Sequence, residues 1–197
     1  MVQRNKPDSE VPVILFEDQK AWEEWLVGNF ASSAGLWLRL ANKSAKFQTV
    51  TYQEAVEVAL CYGWIDSQAK GYDEESHLQK FTRRGPKSIW SKINRAKALE
   101  LIESGRMQPA GLAAINAAKE SGRWEAAYDS NRSATMPGDL QAALDKTPTA
   151  AAFFATLNSQ NRYAILHRIQ IVRKAETRQK RIDQFIQMLE RHEKLYP

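Results

Sequence analysis

The residues best suited to chemistry crowd into one stretch of the sequence. From position 83 to 95 the order Arg-Arg-Gly-Pro-Lys-Ser-Ile-Trp-Ser-Lys-Ile-Asn-Arg places Arg83, Arg84, Lys87 and Lys92 at the start of a predicted helix. A helix N-terminus already carries partial positive charge and open N–H groups, so cations there are repelled unless an anion or a carboxylate intervenes. One reading is an anion pocket, with Ser88 and Ser91 as further donors and Trp90 as a wall. The other is a solvated surface neutralised by Asp66, Asp73, Glu74 or Glu75. Asn94 interrupts the apolar face formed by Trp90, Ala98 and Leu101, and an amide there needs partners, either in a loop that it fastens or in a ligand. Asp66 follows Trp64-Ile65 in an otherwise apolar strand start. A carboxylate beside aromatic surface either pairs with Arg83 or Arg84 or faces a cleft as an acid or base. Trp64, Asp66, Arg83, Arg84, Lys87, Ser88, Trp90 and Asn94 are therefore the candidate ligand-binding set, expected to form one cleft.

Other chemistries find little support. The sequence has no Gly-rich loop ending in Lys-Ser/Thr, no paired cysteines, no HExxH and no GxSxG. His77, His167 and His192 are far apart, and none has a carboxylate or histidine at metal-ligand spacing on a predicted helix. No cofactor and no catalytic residue is expected. Cys61, the single cysteine, falls in the last turn of a helix between Leu60 and Tyr62, where the helix terminus disfavours the thiolate; a buried, inert thiol is expected.

The elements that position these residues follow from pattern. Val13 to Phe16 reads as a short buried strand, and Asp18 can cap a helix whose Trp22, Trp25 and Leu26 share one face. Gly35 to Leu40 alternates Leu36, Leu38 and Leu40 with Trp37 and Arg39, the period of a strand covered on one face. Asn42 to Gln48 is a loop. Thr51 and Glu54 form a capping box ahead of a helix that Gly63 ends. Trp64 to Ala69 and Leu78 to Arg83 flank a turn at Gly71-Tyr72-Asp73, as antiparallel strands do. Ser88 or Ser91 caps a helix running to Ser104, and Pro109 opens another that ends near Gly122, so the two make a helical hairpin. After a polar loop from Asp129 to Pro137, helices are expected near 138–146, 148–157 and 160–172, the last two capped by Thr147 and Ser159. A final helix from about Thr177 carries Ile182, Phe185, Ile186 and Leu189 at helical spacing and must pack on something.

The fold class is thus α+β, a small mainly antiparallel sheet with helices in the N-terminal half and an all-helical C-terminal part packed on it. The expected organisation is a flexible tail over 1–12, an α+β core with the helical hairpin over 13–128, and a helical region over 137–197. Composition agrees with a folded protein: 43% of the 197 residues are hydrophobic and 26% charged, without the imbalance of a disordered chain. No window approaches the roughly 20 apolar residues that span a bilayer. The start offers only a short apolar stretch closed by Glu17 and Asp18, a poor secretory signal, so a cytoplasmic location is expected. The net charge of +5 is concentrated in 76–99 and 162–181, two segments that each hold seven Arg and Lys.

Longer strings carry a resemblance. Cys61-Tyr62-Gly63-Trp64-Ile65-Asp66-Ser67, Phe81-Thr82-Arg83-Arg84, Lys87-Ser88-Ile89-Trp90-Ser91-Lys92-Ile93-Asn94 and Gly105-Arg106-Met107-Gln108-Pro109-Ala110-Gly111 closely resemble the bacterial YdeI/OmpD-associated family. The similarity extends from Trp22-Glu23-Glu24-Trp25-Leu26 through Gly122-Arg123-Trp124 to Ala175-Glu176-Thr177-Arg178-Gln179-Lys180-Arg181-Ile182. The resemblance implies a bacteriocin-protection or porin-associated stress protein linked to tolerance of cationic antimicrobial peptides, with an outer-membrane porin as a possible partner. It brings no reaction and no cofactor. The family's recurring motif falls here on Trp64, Asp66, Arg83, Arg84, Ser88, Trp90, Asn94 and Arg106.

Three functions compete. The first is a non-enzymatic binder of an anionic small molecule, a peptide or a protein through the Trp64 to Asn94 region. The second is a nucleic-acid binder built on a helix-turn-helix at Ser91 to Ser121, but its second helix opens Pro109-Ala110-Gly111-Leu112-Ala113-Ala114-Ile115, which packs rather than reads base edges; no specific nucleic acid is expected. The third is an enzyme using Asp66 and an Arg/Lys pocket, for which no nucleophile or proton acceptor is visible.

Overall fold

The computed structural model describes residues 11–197; the first ten residues of the expected tail lie outside the described residues. Its elements are β1 (Val13–Leu15), α1 (Gln19–Asn29), β2 (Leu36–Ala41), α2 (Tyr52–Cys61), β3 (Trp64–Gly71), β4 (Ser76–Arg83), α3 (Lys92–Glu103), α4 (Pro109–Glu120), α5 (Gly138–Asp145), α6 (Pro148–Thr156), α7 (Ser159–Gln170) and α8 (Ala175–Glu190). The strands are confined to the N-terminal half, and the protein is α+β. The chain divides into two compact units: residues 11–88 with 96–122, and residues 89–95 with 123–197. Helix α3 begins in the second and continues in the first.

In the first unit the sheet order is β1-β2-β4-β3, with β1 parallel to β2 and the other pairs antiparallel. β2 is therefore an inner strand, and both of its faces are covered: Trp37 is as buried as Leu36 and Leu38. The one-sided pattern in the sequence is misleading because Trp37 lies beneath cations, with the Lys70 ammonium 4.1 Å and the Lys80 ammonium 5.3 Å from its ring centroid. Arg39 likewise lies over Phe47 and Tyr72. Long basic side chains on aromatic rings thus cover this face of the sheet, their stems apolar and their heads toward water.

Helix packing builds the other face. Asp18 accepts from the Ala21 N–H and starts α1, and the capping box of Thr51 and Glu54 starts α2, both as the sequence indicates. α1 seats Trp22 against Phe81, with ring centroids 5.6 Å apart, and its indole N–H donates to the Ala55 carbonyl of α2 at 3.1 Å. α2 ends at Gly63 in the left-handed region (φ 71°), which turns the chain into β3. There α4 comes close. A methyl group on Gly63 would lie 2.8 Å from the Ala110 carbonyl oxygen, and one on Gly111 would stand 2.7 Å from the Leu60 carbonyl oxygen and press on Cys61 and Met107.

The second unit has its own core, in which Leu140, Leu144, Phe154, Ile165, Ile169, Ile182, Phe185 and Leu189 are buried together. The apolar stripe of α8 is covered there by α5, α6 and α7. α7 is capped by Asn158, which accepts from the Asn161 N–H, rather than by Ser159 one residue later. Thr147 occupies the cap position of α6 without a side-chain hydrogen bond.

The glycine contacts yield a paired expectation. Gly111→Ala should lower stability by about 1–3 kcal/mol through overpacking between α2 and α4. Gly28→Ala, in α1 with open space around its Cα, should raise it by about 0.5–1 kcal/mol. Urea midpoints of the two variants check this, and equal shifts would contradict the close approach.

Candidate functional site

β3 and β4 hold Trp64, Asp66 and Arg83, and Arg84 follows directly. Trp64 pairs with Arg83 in register, and Asp66 with Phe81, so these side chains line one end of the hairpin. Trp64 is wholly buried. Its indole N–H donates to the Phe30 carbonyl at 3.0 Å, and its ring meets Trp22 and Trp25 edge to face. It is core, not an exposed aromatic surface. Asp66 accepts from the Tyr52 hydroxyl at 2.8 Å, while the Arg83 guanidinium donates to the Ala31 carbonyl at 3.0 Å; the Asp66–Arg83 ion pair expected from sequence is not formed. The Arg84 N–H donates to the Gly63 carbonyl at 2.9 Å, carrying the strand pairing one residue further.

Beyond β4 the chain turns at Gly85–Ser88, where the Ser88 hydroxyl accepts from the Gly85 N–H and the Ser88 N–H donates to the Gly85 carbonyl. Ser88 thus shapes this turn. Arg83, ahead of the turn, and Lys87, within it, are exposed. Three of the four carboxylates that could have neutralised this stretch are bonded elsewhere, Asp73 with Arg39 at 2.7 Å and with Ser76, Glu75 with the Lys46 N–H, and Asp66 with Tyr52, while Glu74 makes no ion pair with a described residue. Two further first-unit cations are satisfied by one acid, since Glu57 on α2 holds Lys97 at 3.2 Å and Arg106 at 2.9 Å. Burial alone would raise the Glu57 pKa, but these hydrogen bonds outweigh it and the group lies below the usual range. Arg106 therefore ties the chain ahead of α4 to α2. Cys61 is buried, and burial pushes its thiol up to about 11, so it is un-ionised at neutral pH.

Trp90 and Asn94 belong to the second unit. The Trp90 indole packs edge to face on Trp124 with centroids 4.9 Å apart, and the Tyr128 N–H donates to the Trp90 carbonyl at 2.9 Å. Ser91 and Tyr128 form a parallel bridge. The cap of α3 is Ser91, whose hydroxyl accepts from the Asn94 N–H; the Asn94 amide itself is half-buried and makes no hydrogen bond with another described residue. Lys92, one of the crowded cations, is neutralised by Asp129 at 2.7 Å. That hydrogen bond, with a second from Gln170, holds the Asp129 carboxyl below its ordinary range against the effect of partial burial. Sequence reasoning missed Tyr52 and Asp129, because each meets its partner only through the fold.

Among the described residues, cavities also lie along other parts of the two units. One in the first unit, of about 720 Å³, is lined by Glu17, Asp18, Arg39, Phe47 and Glu75 among others. Two adjoin in the second unit along α7, of about 550 and 360 Å³, and share Asn131 and Tyr163. Among the described residues no group of three or more His, Cys, Asp or Glu side chains could hold a metal ion, and no helix is long and apolar enough to cross a membrane.

A four-stranded sheet backed by helices in the first unit and a helical second unit define an α+β protein. Residues 133–192 match the family described as "Bacteriocin-protection, YdeI or OmpD-Associated", and residues 14–114 match a domain of unknown function, DUF8412. The chain belongs to the DUF8412 family, whose model spans just over half of it, and its C-terminal segment is similar to the YdeI or OmpD-associated family. The strings around Trp64 and Trp90 that carry the resemblance lie in the DUF8412 stretch. No curated protein and no solved structure matches the chain.

The second unit holds one group with a pH consequence. Burial first, and then the Arg168 charge, lower the His167 pKa below the ordinary 6.5. The contribution of His167 to stability is therefore fully present above pH 6.5 and is lost as pH falls below that value toward the lowered folded-state pKa. Urea midpoints should therefore drop between about pH 7 and about pH 5.5, and His167→Phe should flatten that slope. An unchanged slope in the variant would assign the acid sensitivity elsewhere.

Proposed function

We propose that the protein is a non-enzymatic protection protein that binds an anionic ligand, peptide or protein segment at the turn following β4. Arg83 and Lys87 supply the charge, Ser88 fixes the turn between them, and Asp66 and Arg84 form its inner edge. The observation that carries the reading is electrostatic: of the acids at 66, 73, 74 and 75, Asp66, Asp73 and Glu75 are bonded to Tyr52, Arg39 and the Lys46 N–H, and neither Glu74 nor Lys87 makes an ion pair with a described residue. Charge left uncompensated at a rigid turn is a recognition feature more than a stabilising one, since exposed pairs contribute only about 0–1 kcal/mol. The buried positions of Trp64 and Trp90 remove the aromatic wall from this reading and leave the cations as its agents.

A nucleic-acid function receives less support. α4 packs through Gly111, Ile115 and Ala118, and its exposed face opens with Pro109, Leu112 and Ala113, which offer base edges no polar side chain.

The test is a titration of the full chain with a hexaglutamate peptide at low salt. Lys87→Glu should weaken binding about tenfold or more, equivalent to about 1.4 kcal/mol, and leave the melting temperature unchanged, as exposed substitutions do. Binding should also fade as salt rises. Equal affinity of wild type and K87E would remove the turn from the site.

A further inference from the structure

Helix α7 carries a second feature that the cationic turn does not use. Tyr163, His167 and Arg168 lie on one side of it, and with Asn131, Ile171 and Tyr196 they line the cavity of about 550 Å³. That volume is within the usual range for a small-molecule pocket. Its lining mixes ring and aliphatic surface with one permanent cation, and no carboxylate lines it. The adjoining cavity of about 360 Å³ repeats the pattern, with Arg162 and again no carboxylate. The cavity of the first unit has the opposite sign, with Glu17, Asp18 and Glu75 on its walls.

The cation is held in place before any ligand arrives. Arg168 donates to the Ala164 carbonyl and to the Tyr196 hydroxyl, both at 3.1 Å. Tyr196 is fixed in turn through its main chain, because buried Asn161 accepts from the Tyr196 N–H at 3.0 Å and donates to its carbonyl at 3.3 Å. The guanidinium keeps donors in excess of these two bonds, and it makes no ion pair with a described residue. Asp129, the nearby acid, is consumed by Lys92 and Gln170, and its carbonyl accepts from the Tyr163 hydroxyl. The His167 ring lies edge to face with Tyr128, centroids 4.6 Å apart, and 5.7 Å from Tyr163. Neither of its nitrogens is hydrogen-bonded to another described residue.

From this we infer that the α7 cavity is a binding site for a small aromatic acid, a carboxylate or a phosphate ester, whose anionic group meets Arg168 and whose ring lies among Tyr163, His167 and Tyr196. A planar guanidinium anchored on two acceptors matches the two oxygens of such a group. The surrounding rings supply offset or edge contacts to a flat body. A bare inorganic anion would leave those apolar walls wet, and an organic cation would meet Arg168 with no acid to offset it.

The experiment follows the His167 imidazole signals by NMR while the full chain is titrated with benzoate, phenyl phosphate, inorganic phosphate or benzylamine. Saturable shifts with benzoate or phenyl phosphate, and much weaker ones with the other two, are expected. Arg168→Gln should weaken the aromatic acids about tenfold or more, whereas Lys87→Glu should leave them unchanged, so this site stands or falls separately from the turn after β4. If R168Q fails to fold, contacts from the benzoate ring to Tyr163 or Tyr196 in the wild type decide the matter. His167 signals unmoved by both acids, or moved equally by benzylamine, would overturn the inference.

Discussion

Burial of the Trp64 indole against Trp22 and Trp25 fixes where everything near the N-terminal site can go. The contact ties α1 to the start of β3, and the hydrogen bond to Phe30 closes the only polar group of the ring. Truncating a tryptophan so placed costs about 3–5 kcal/mol, several times the worth of an exposed charge. The hairpin end is therefore rigid, and its residues divide by energy. Trp64 and Phe81 hold the fold, and Arg83 and Lys87 are left to face solvent.

The same logic separates the cations from one another. Lys97 and Arg106 share Glu57, Lys92 has Asp129, and Arg39 has Asp73. Each of these is a fastening. Arg83 and Lys87 differ, since the first reaches only a main-chain carbonyl and the second makes no ion pair with a described residue. In the second unit Arg168 resembles them: it is anchored by neutral acceptors and keeps its charge unpaired. Some of the described cations thus form structural pairs, and others, Arg83, Lys87 and Arg168 among them, make no ion pair with a described residue.

Local signals were legible in the sequence wherever a few adjacent residues decide the outcome. The caps at Asp18 and Thr51, the left-handed turn at Gly63 and the antiparallel pairing around Gly71 needed only neighbours. The stripe of α8 was equally plain. What failed to show depended on partners far along the chain. Trp64 and Trp90 read as walls of a cleft because nothing local reveals Trp22 or Trp124 as their neighbours. Lys92 read as an unpaired cation because Asp129 lies 37 positions away. β2 looked one-sided since lysines from β3 and β4 cover Trp37. The cap of α7 slipped by one residue because Asn158 and Ser159 are both competent, and their order along the chain does not choose between them. The α7 cavity had a partial trace in the spacing of Tyr163 and His167, one helical turn apart, but Tyr196 closes it only through Asn161.

The most direct test of the central claim is amide shift mapping of the full chain during titration with an acidic peptide. Shifts concentrated on residues 83–88, with little change at the start of α4, are the predicted result. Shifts centred on 109–115 with the 83–88 amides unmoved would contradict the account, because they would place recognition on a helix start that carries no charged side chain.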